Sequence, residues 1–182
     1  MTLIIIIAVL AVLVLWFIRV QRELVEKDEF CKNAMSQIGV QQASRWDALS
    51  ALAELIKSYN EHEYNTLKDV ISQRAGIDSN STAEDANAQE ELITKAMSRI
   101  AVVVEQYPDL KANDMYVKTM DSVNTYENQV RLSRMTFNDT VTTFNRLIRQ
   151  FPGSIVAKIL GFVTKDYLKE IAGKTDMPSF KI

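Results

Sequence analysis

Cysteine and histidine are nearly absent from this chain: Cys31 and His62 are the only examples in 182 residues. A lone cysteine excludes an internal disulfide framework and a cysteine-rich zinc site. A lone histidine removes most metal and general-base chemistry. His62-Glu63 opens like a zincin motif, but Thr66 stands where the second histidine is needed, and Tyr59 stands where a Glu-x-x-His di-iron motif needs glutamate. Glycine-rich phosphate loops and nucleophile elbows are missing too. Carboxylates are plentiful, yet they fall on solvated helix faces where no paired acid and base can be picked out. The expectation is a protein that is not an enzyme and that needs no metal or cofactor. Net charge is -2, without a dense basic run, which gives no reason to expect nucleic-acid binding.

Glycine and proline are also scarce, with five and three residues. That scarcity favours long helices over a loop-rich or all-β fold, and the length suits one domain with a real core.

What the chain does have is a long hydrophobic run. Residues 1–18, MTLIIIIAVLAVLVLWFI, carry no charged side chain. As a helix they extend about 27 Å, close to the roughly 30 Å hydrocarbon core of a bilayer. Trp16 and Phe17 end the run, where aromatic rings favour the interface, and Arg19 and Arg22 follow. A cleaved signal would want a basic start and a small-x-small site. Neither is present, so an uncleaved anchor over residues 1–19 is expected. Arg19, Arg22, Lys27 and Lys32 all follow the span, and the positive-inside rule then places the remainder in the cytoplasm. Cys31 lies close enough to the membrane for palmitoylation to be considered, but a half-buried helix residue is the plainer reading.

Beyond the anchor, apolar periodicity predicts three long helices. Ala34 to Arg74 reads as one uninterrupted helix, with Ile38, Leu49, Leu52, Ile56, Tyr59 and Val70 on a stripe beside Trp46 and Leu55. Gly76 is its first certain stop. Ser81 and Glu84 have capping-box spacing, opening a second helix to about Gln106. Its stripe is Ile93, Met97, Ile100, Val104 and Tyr107. Pro108 ends it. Asn113 caps a third helix to about Gln150, whose heptad seam runs Tyr116, Met120, Val123, Glu127, Val130, Arg134, Phe137, Val141, Phe144, Ile148, Phe151. A short helix over 154–160 closes one end. Residues 163–172 read as a last helical piece and 173–182 as a tail.

The seams are interrupted by charge. Gln42, Arg45 and Glu63 break the first, and Glu127 and Arg134 break the third. In an up-down-up bundle the first and third helices are parallel, so these five residues form a candidate polar core layer. Buried charges must pair, because isolation costs several kcal/mol. The alternative, which a straight 3.6-residue helix favours, is that the stripe drifts and leaves them at the edge. The acidic start of the second helix, residues 84–91, is the exposed stretch best suited to meet a partner, and a solvated helix start explains it equally well. Asn80-Ser81-Thr82 and Asn138-Asp139-Thr140 match the glycosylation pattern, which is common by chance.

These residues carry a resemblance. The segment from Ser36-Gln37-Ile38 through Arg45-Trp46-Asp47 to His62-Glu63 is similar to the first helix of the LemA family. The turn Tyr107-Pro108-Asp109-Leu110-Lys111-Ala112-Asn113 is its most specific part. Glu127-Asn128, Ser133-Arg134, Phe137-Asn138, Phe144-Asn145, Phe151-Pro152 and Gly161-Phe162 extend it. Met35, Gly39 and Ser58 depart from the family's usual tryptophan, aspartate and glycine, and Ser50-Ala51 replaces a Pro-Asn pair. The resemblance implies a bacterial membrane-anchored helical bundle without established catalytic residues, a divergent branch of which is associated with building intracellular membrane organelles.

The expected architecture is all-α: a transmembrane anchor (1–19), then an elongated up-and-down bundle of three long antiparallel helices plus a short fourth (20–172), then the tail (173–182). The expected function is a single-pass scaffold or interaction module at the bacterial membrane. Its partners would be the bilayer, through residues 1–19, and an unknown protein or a second copy of itself. A ligand-sensing bundle using the polar layer is the second reading.

Overall fold

The computed structural model describes residues 1–169, whose regular elements are all helices, without a strand among the described residues. Helix α1, Thr2–Lys57, spans 56 residues without a break, about 84 Å at ~1.5 Å per residue. Residues 1–15 are exposed all round, and the helix is long and apolar enough near its N-terminus to cross a membrane. From Val20 onward one stripe turns inward, and Leu24, Met35, Ile38, Leu49, Leu52 and Ile56 are fully buried. Nothing in residues 19–33 breaks the helix, so the apolar segment and the core segment are one rod.

The expected continuous helix from Ala34 to Arg74 is cut at its distal end. Asn60 turns extended, with φ -155° and ψ 105°, and its side chain accepts a bond from the Glu63 backbone N–H, capping a separate helix α2, Glu61–Ile71. An asparagine that satisfies an orphan helix donor competes well with helix continuation. Helix α2 turns back along α1, since Tyr64 reaches Glu54 and Arg74 reaches Asp47. The loop that follows continues down to Gly39, where an added Cβ would overlap the Ile77 carbonyl oxygen. Chain stop and loop thus precede Gly76 rather than coincide with it.

Helix α3, Ala83–Gln106, starts one residue later than expected. Thr82, not Ser81, forms the capping box, with Asp85 as its reciprocal partner. A one-turn helix α4, Pro108–Lys111, leads to α5, Asp114–Arg149, capped by Asn113 as the sequence indicates. Helix α6, Gly153–Leu160, ends at Gly161 in the left-handed region, φ 76°. That backbone favours glycine because other residues would crowd their Cβ.

The direction of the helices differs from the up-down-up expectation. Because α2 and the following loop return the chain to the lower part of α1, α3 ascends beside α1 and α5 descends. Ion pairing of Arg45 with both Glu90 and Glu127, and packing of Tyr59 on Tyr107, fix this arrangement. The two longest helices are therefore antiparallel. Their shared core has a distal cluster around Trp46, Ile56, Ile93, Ile100 and Val123, and a middle one around Cys31, Met35, Ile38, Phe137 and Phe144. A basal cluster joins Val20 and Leu24 to Val156 and Ala157. The expected last helical piece is corrected over its described part: residues 162–169 run without helix, and residues 170–182, including the tail, lie outside the described residues.

Gly39 yields a prediction of sign. Helix propensity alone makes Gly39→Ala stabilising by ~1 kcal/mol. Collision with Ile77 instead makes it destabilising by roughly 1–3 kcal/mol. Thermal unfolding followed by far-ultraviolet dichroism of the detergent-solubilised chain should show a lowered midpoint.

Candidate functional site

Five polar positions interrupt the seams, and the fold distributes them unequally. Gln42 and Arg45 lie one turn apart on α1 and are buried, as is Arg134 on α5. The edge placement that helix drift favours does not hold for these three. The reason is that α3 supplies matching groups. Arg45 Nη1 donates to Glu90 Oε1 at 2.6 Å, with side chains 4% and 8% exposed. Arg45 Nη2 also lies 3.6 Å from Glu127 Oε2. Gln42 Nε2 donates to the Ala86 carbonyl at 3.3 Å, with Glu90 Oε2 at 3.5 Å.

Arg134 Nη2 donates to Asn87 Oδ1 and to the Lys169 carbonyl, each at 2.7 Å. Burial pulls the Arg134 guanidinium below its ordinary value; Glu90 opposes that shift, and Arg45 adds to it. Arg45, Glu90 and Glu127 therefore form one ion network across α1, α3 and α5, while Arg134 is held nearby by a side-chain amide and a backbone carbonyl rather than by an ion pair. Burial of these guanidiniums is tolerated because carboxylate, amide and carbonyl oxygens meet them, although Arg45 Nε and Arg134 Nη1 are buried without a hydrogen-bond partner in the protein.

Glu63 does not join this layer. It sits on α2 near the distal end, 3.9 Å from Arg99. The cut at Asn60 moved it onto a different helix. Sequence reading also missed Asn87 and Glu90. Residues 84–91 looked like a solvated helix start, but Asn87, Gln89 and Glu90 are buried, and only Glu84, Asp85, Ala88 and Glu91 keep the exposed role. The usable signal was present, since Ala83, Ala86, Asn87, Glu90 and Ile93 follow helical spacing.

A second polar device runs down α5. Asn145 exchanges two bonds with the Lys165 backbone, at 2.8 and 2.9 Å, and Asn138 exchanges two with Leu168, at 3.1 and 2.9 Å. Each side-chain amide offers one donor and one acceptor, as a neighbouring strand would. With Arg134 on Lys169, they clamp the extended segment after α6 against the bundle. Asn138 is thereby engaged rather than presented as a glycan acceptor.

The same segment brings Lys165 to α1, 2.9 Å from Asp28. Burial pushes the Asp28 carboxyl up, but Lys32 and Lys165 together outweigh it and hold the group below its ordinary value. Cys31 is 1% exposed, deeper than the half-buried position expected. Burial pushes its thiol up, only partly offset by Thr140 and Lys165, so neither access nor thiolate character favours acylation in the folded chain. His62 is exposed on α2. Among the described residues, no group of three or more His, Cys, Asp or Glu side chains is arranged to hold a metal ion.

Two clefts touch these devices. One of about 330 Å³ lies between Lys32, Met35, the Ser79–Ala83 turn, Phe137 and Lys165. A smaller one of about 130 Å³ is lined by Gln42, Trp46 and the loop through Ile77. Gln42 Oε1 and Trp46 Nε1 are buried and have no hydrogen-bond partner in the protein.

The ion layer generates a graded prediction. Arg45→Met strands Glu90 and should cost about 3–5 kcal/mol. Adding Glu90→Gln should recover most of that loss, because the stranded charge goes too. Denaturant unfolding of the single and double variants in detergent measures the coupling; strictly additive losses would contradict a shared buried layer.

The Protein LemA of Metamycoplasma hominis is 27% identical over 158 residues, covering 84% of this chain and 71% of that protein. Magnetosome protein MamQ of Magnetospirillum gryphiswaldense and Magnetosome protein MamQ 2 of Paramagnetospirillum magneticum are each 33% identical over 75 residues. Those matches cover 41% of this chain but only 28% of each magnetosome protein. The sequence model of the LemA family matches residues 34–181, which takes in the distal part of α1, the ion layer and the clamped segment, and the chain belongs to the LemA family.

Proposed function

We propose that this protein is a membrane-tethered scaffold or interaction module, not an enzyme, which holds a rigid helical bundle at a fixed distance from a bilayer and presents its outer faces to a protein partner or to a second copy. The observation that carries this reading is the continuity of α1. One helix supplies both the apolar run and the innermost stripe of the bundle, so force and orientation pass between membrane and bundle without a flexible linker. The ion network supports it, because Arg45, Glu90 and Glu127 are engaged with one another inside the bundle. Exposed apolar residues on the outer faces, Val102, Met115, Leu132 and Met135 among them, give such a module contact surface. Similarity to proteins named as magnetosome proteins fits a role at a membrane-bounded structure. In this reading the chain is a single-pass bacterial membrane protein, and the basic residues after the span put the bundle on the cytoplasmic side.

The second reading, a ligand-sensing bundle, draws on the unpartnered Gln42 Oε1 and Trp46 Nε1 beside the smaller cleft. At about 130 Å³ that space suits only a ligand of a few heavy atoms, far below the ~300–1,000 Å³ of ordinary ligand pockets. The scaffold reading is therefore preferred.

Crosslinking in intact membranes followed by purification should capture a defined partner or a discrete self-associated species. A chain that stays monomeric and enriches nothing above an anchor-only control would contradict the proposal.

A further inference from the structure

Helix α6 has three faces rather than two. At 100° per residue, Gly153, Val156 and Ala157 share one side, and all three are buried. Ser154 and Lys158 share a second. Ile155 and Ile159 form a third, one turn apart, and they are 49% and 65% exposed. The apolar exposure continues at the last residue of the helix and beyond both its ends. Phe151, which the heptad seam assigns to the core, is 79% exposed, while Leu160 is 42% and Val163 75% exposed. A helix closing the end of a bundle in water needs only its inner face apolar.

The position of α6 accounts for the surplus. Its inner face packs on Val20 and Leu24 of α1, and the same cluster includes Trp16 and Phe17. Trp16 and Phe17 belong to the apolar run that ends at Ile18. Val20 and Leu24 lie only about 3 and 9 Å of helix rise beyond Ile18, at ~1.5 Å per residue. If residues 1–19 span a bilayer, α6 sits at the level of the headgroups and the first acyl carbons. Interfacial helices bury their apolar faces about 5–10 Å into that zone.

Charge agrees with the position. No Asp or Glu occurs between Asp139 and Asp166, while Arg146, Arg149, Lys158 and Lys165 do. Arg146, Arg149 and Lys158 are exposed; Arg149 precedes the apolar stretch and Lys158 lies within it, on the neighbouring face of α6. Glu23 and Glu26 are exposed on the nearby part of α1, so apolar burial is the main attraction and lipid phosphate the secondary one.

We infer that α6 and its flanks are a second membrane contact: Phe151, Ile155, Ile159, Leu160 and Val163 insert into the bilayer interface beside α1, with Arg149 and Lys158 against lipid phosphates. The occupant of this face is lipid. The inference rests on the anchor reading of residues 1–19 and adds to it that the bundle has two points of membrane contact, which fixes its rotation about the long axis of α1 as well as its height.

The test places an environment-sensitive fluorophore on full-length protein in phosphatidylcholine–phosphatidylglycerol vesicles, with or without nitroxide lipids. The labelled positions are Ile159→Cys and, as a second probe off the helix, Val163→Cys. Leu10→Cys reports the span and Met115→Cys the distal end of the bundle. Cys31 is buried, and an unsubstituted chain carried through labelling measures its background. The inference expects blue-shifted emission at both 159 and 163, with loss of emission to nitroxides near the headgroup, and neither effect at 115. If position 10 is quenched while 159 and 163 are not, the anchor stands and the second contact is overturned. A blue shift at 159 without quenching also overturns it, since a protein surface rather than lipid then covers the face. If position 10 is itself unquenched, the anchor reading falls and takes the inference with it.

Discussion

Everything in this molecule hangs on one unbroken helix. A rod of 56 residues carries an apolar N-terminal stretch with nothing packed round most of it, and a C-terminal stretch that is the wall of a core. Because both belong to one hydrogen-bonded ladder, the bundle cannot choose its angle independently of the apolar stretch. The remaining helices assemble against a fixed post: α2 folds back on its tip, α3 climbs beside it and α5 descends its whole core-forming length.

The buried charges are a consequence of that assembly. Three helices meet at Arg45, and the arginine is acceptable there only because Glu90 and Glu127 arrive from two different neighbours. Hydrophobic stripes would allow a helix to slide by one turn at modest cost. A buried guanidinium with two dedicated carboxylates does not, since a slipped register would leave charge without a partner. The amide clamps of Asn138 and Asn145 do similar work for the segment after α6, fixing an extended backbone to a helix that could not otherwise pair with it. Charge inside this bundle thus sets register, and apolar contact supplies the bulk of its stability.

Much of this was legible in the residues. Scarcity of glycine and proline foretold the long helices, and the apolar run foretold the candidate span. Pro108 and Asn113 marked the distal turn correctly because proline and an asparagine cap act through local backbone chemistry. The misses also have physical causes. Asn60 looked like one more residue in a helical rhythm, and its capping role competes with that rhythm only where tertiary packing favours a reversal. Missing this cut misdirected α3 and α5 and left Glu63 in the wrong company. Glu90 was misread because an acidic helix start and a buried ion pair have the same composition, and only the partner helix distinguishes them. The residues after Gly161 have helix-forming composition, yet side chains of α5 outbid the helix for their backbone groups.

The central claim is that no hinge separates the apolar segment from the bundle. Amide hydrogen exchange of the full chain in lipid vesicles tests it most directly. Backbone amides from Arg19 to Asn33 should be protected as one block, continuous with the buried stretch that begins at Ala34. A window of fast exchange within that block, flanked by protected residues on both sides, would mean that anchor and bundle are separate bodies and would contradict the account.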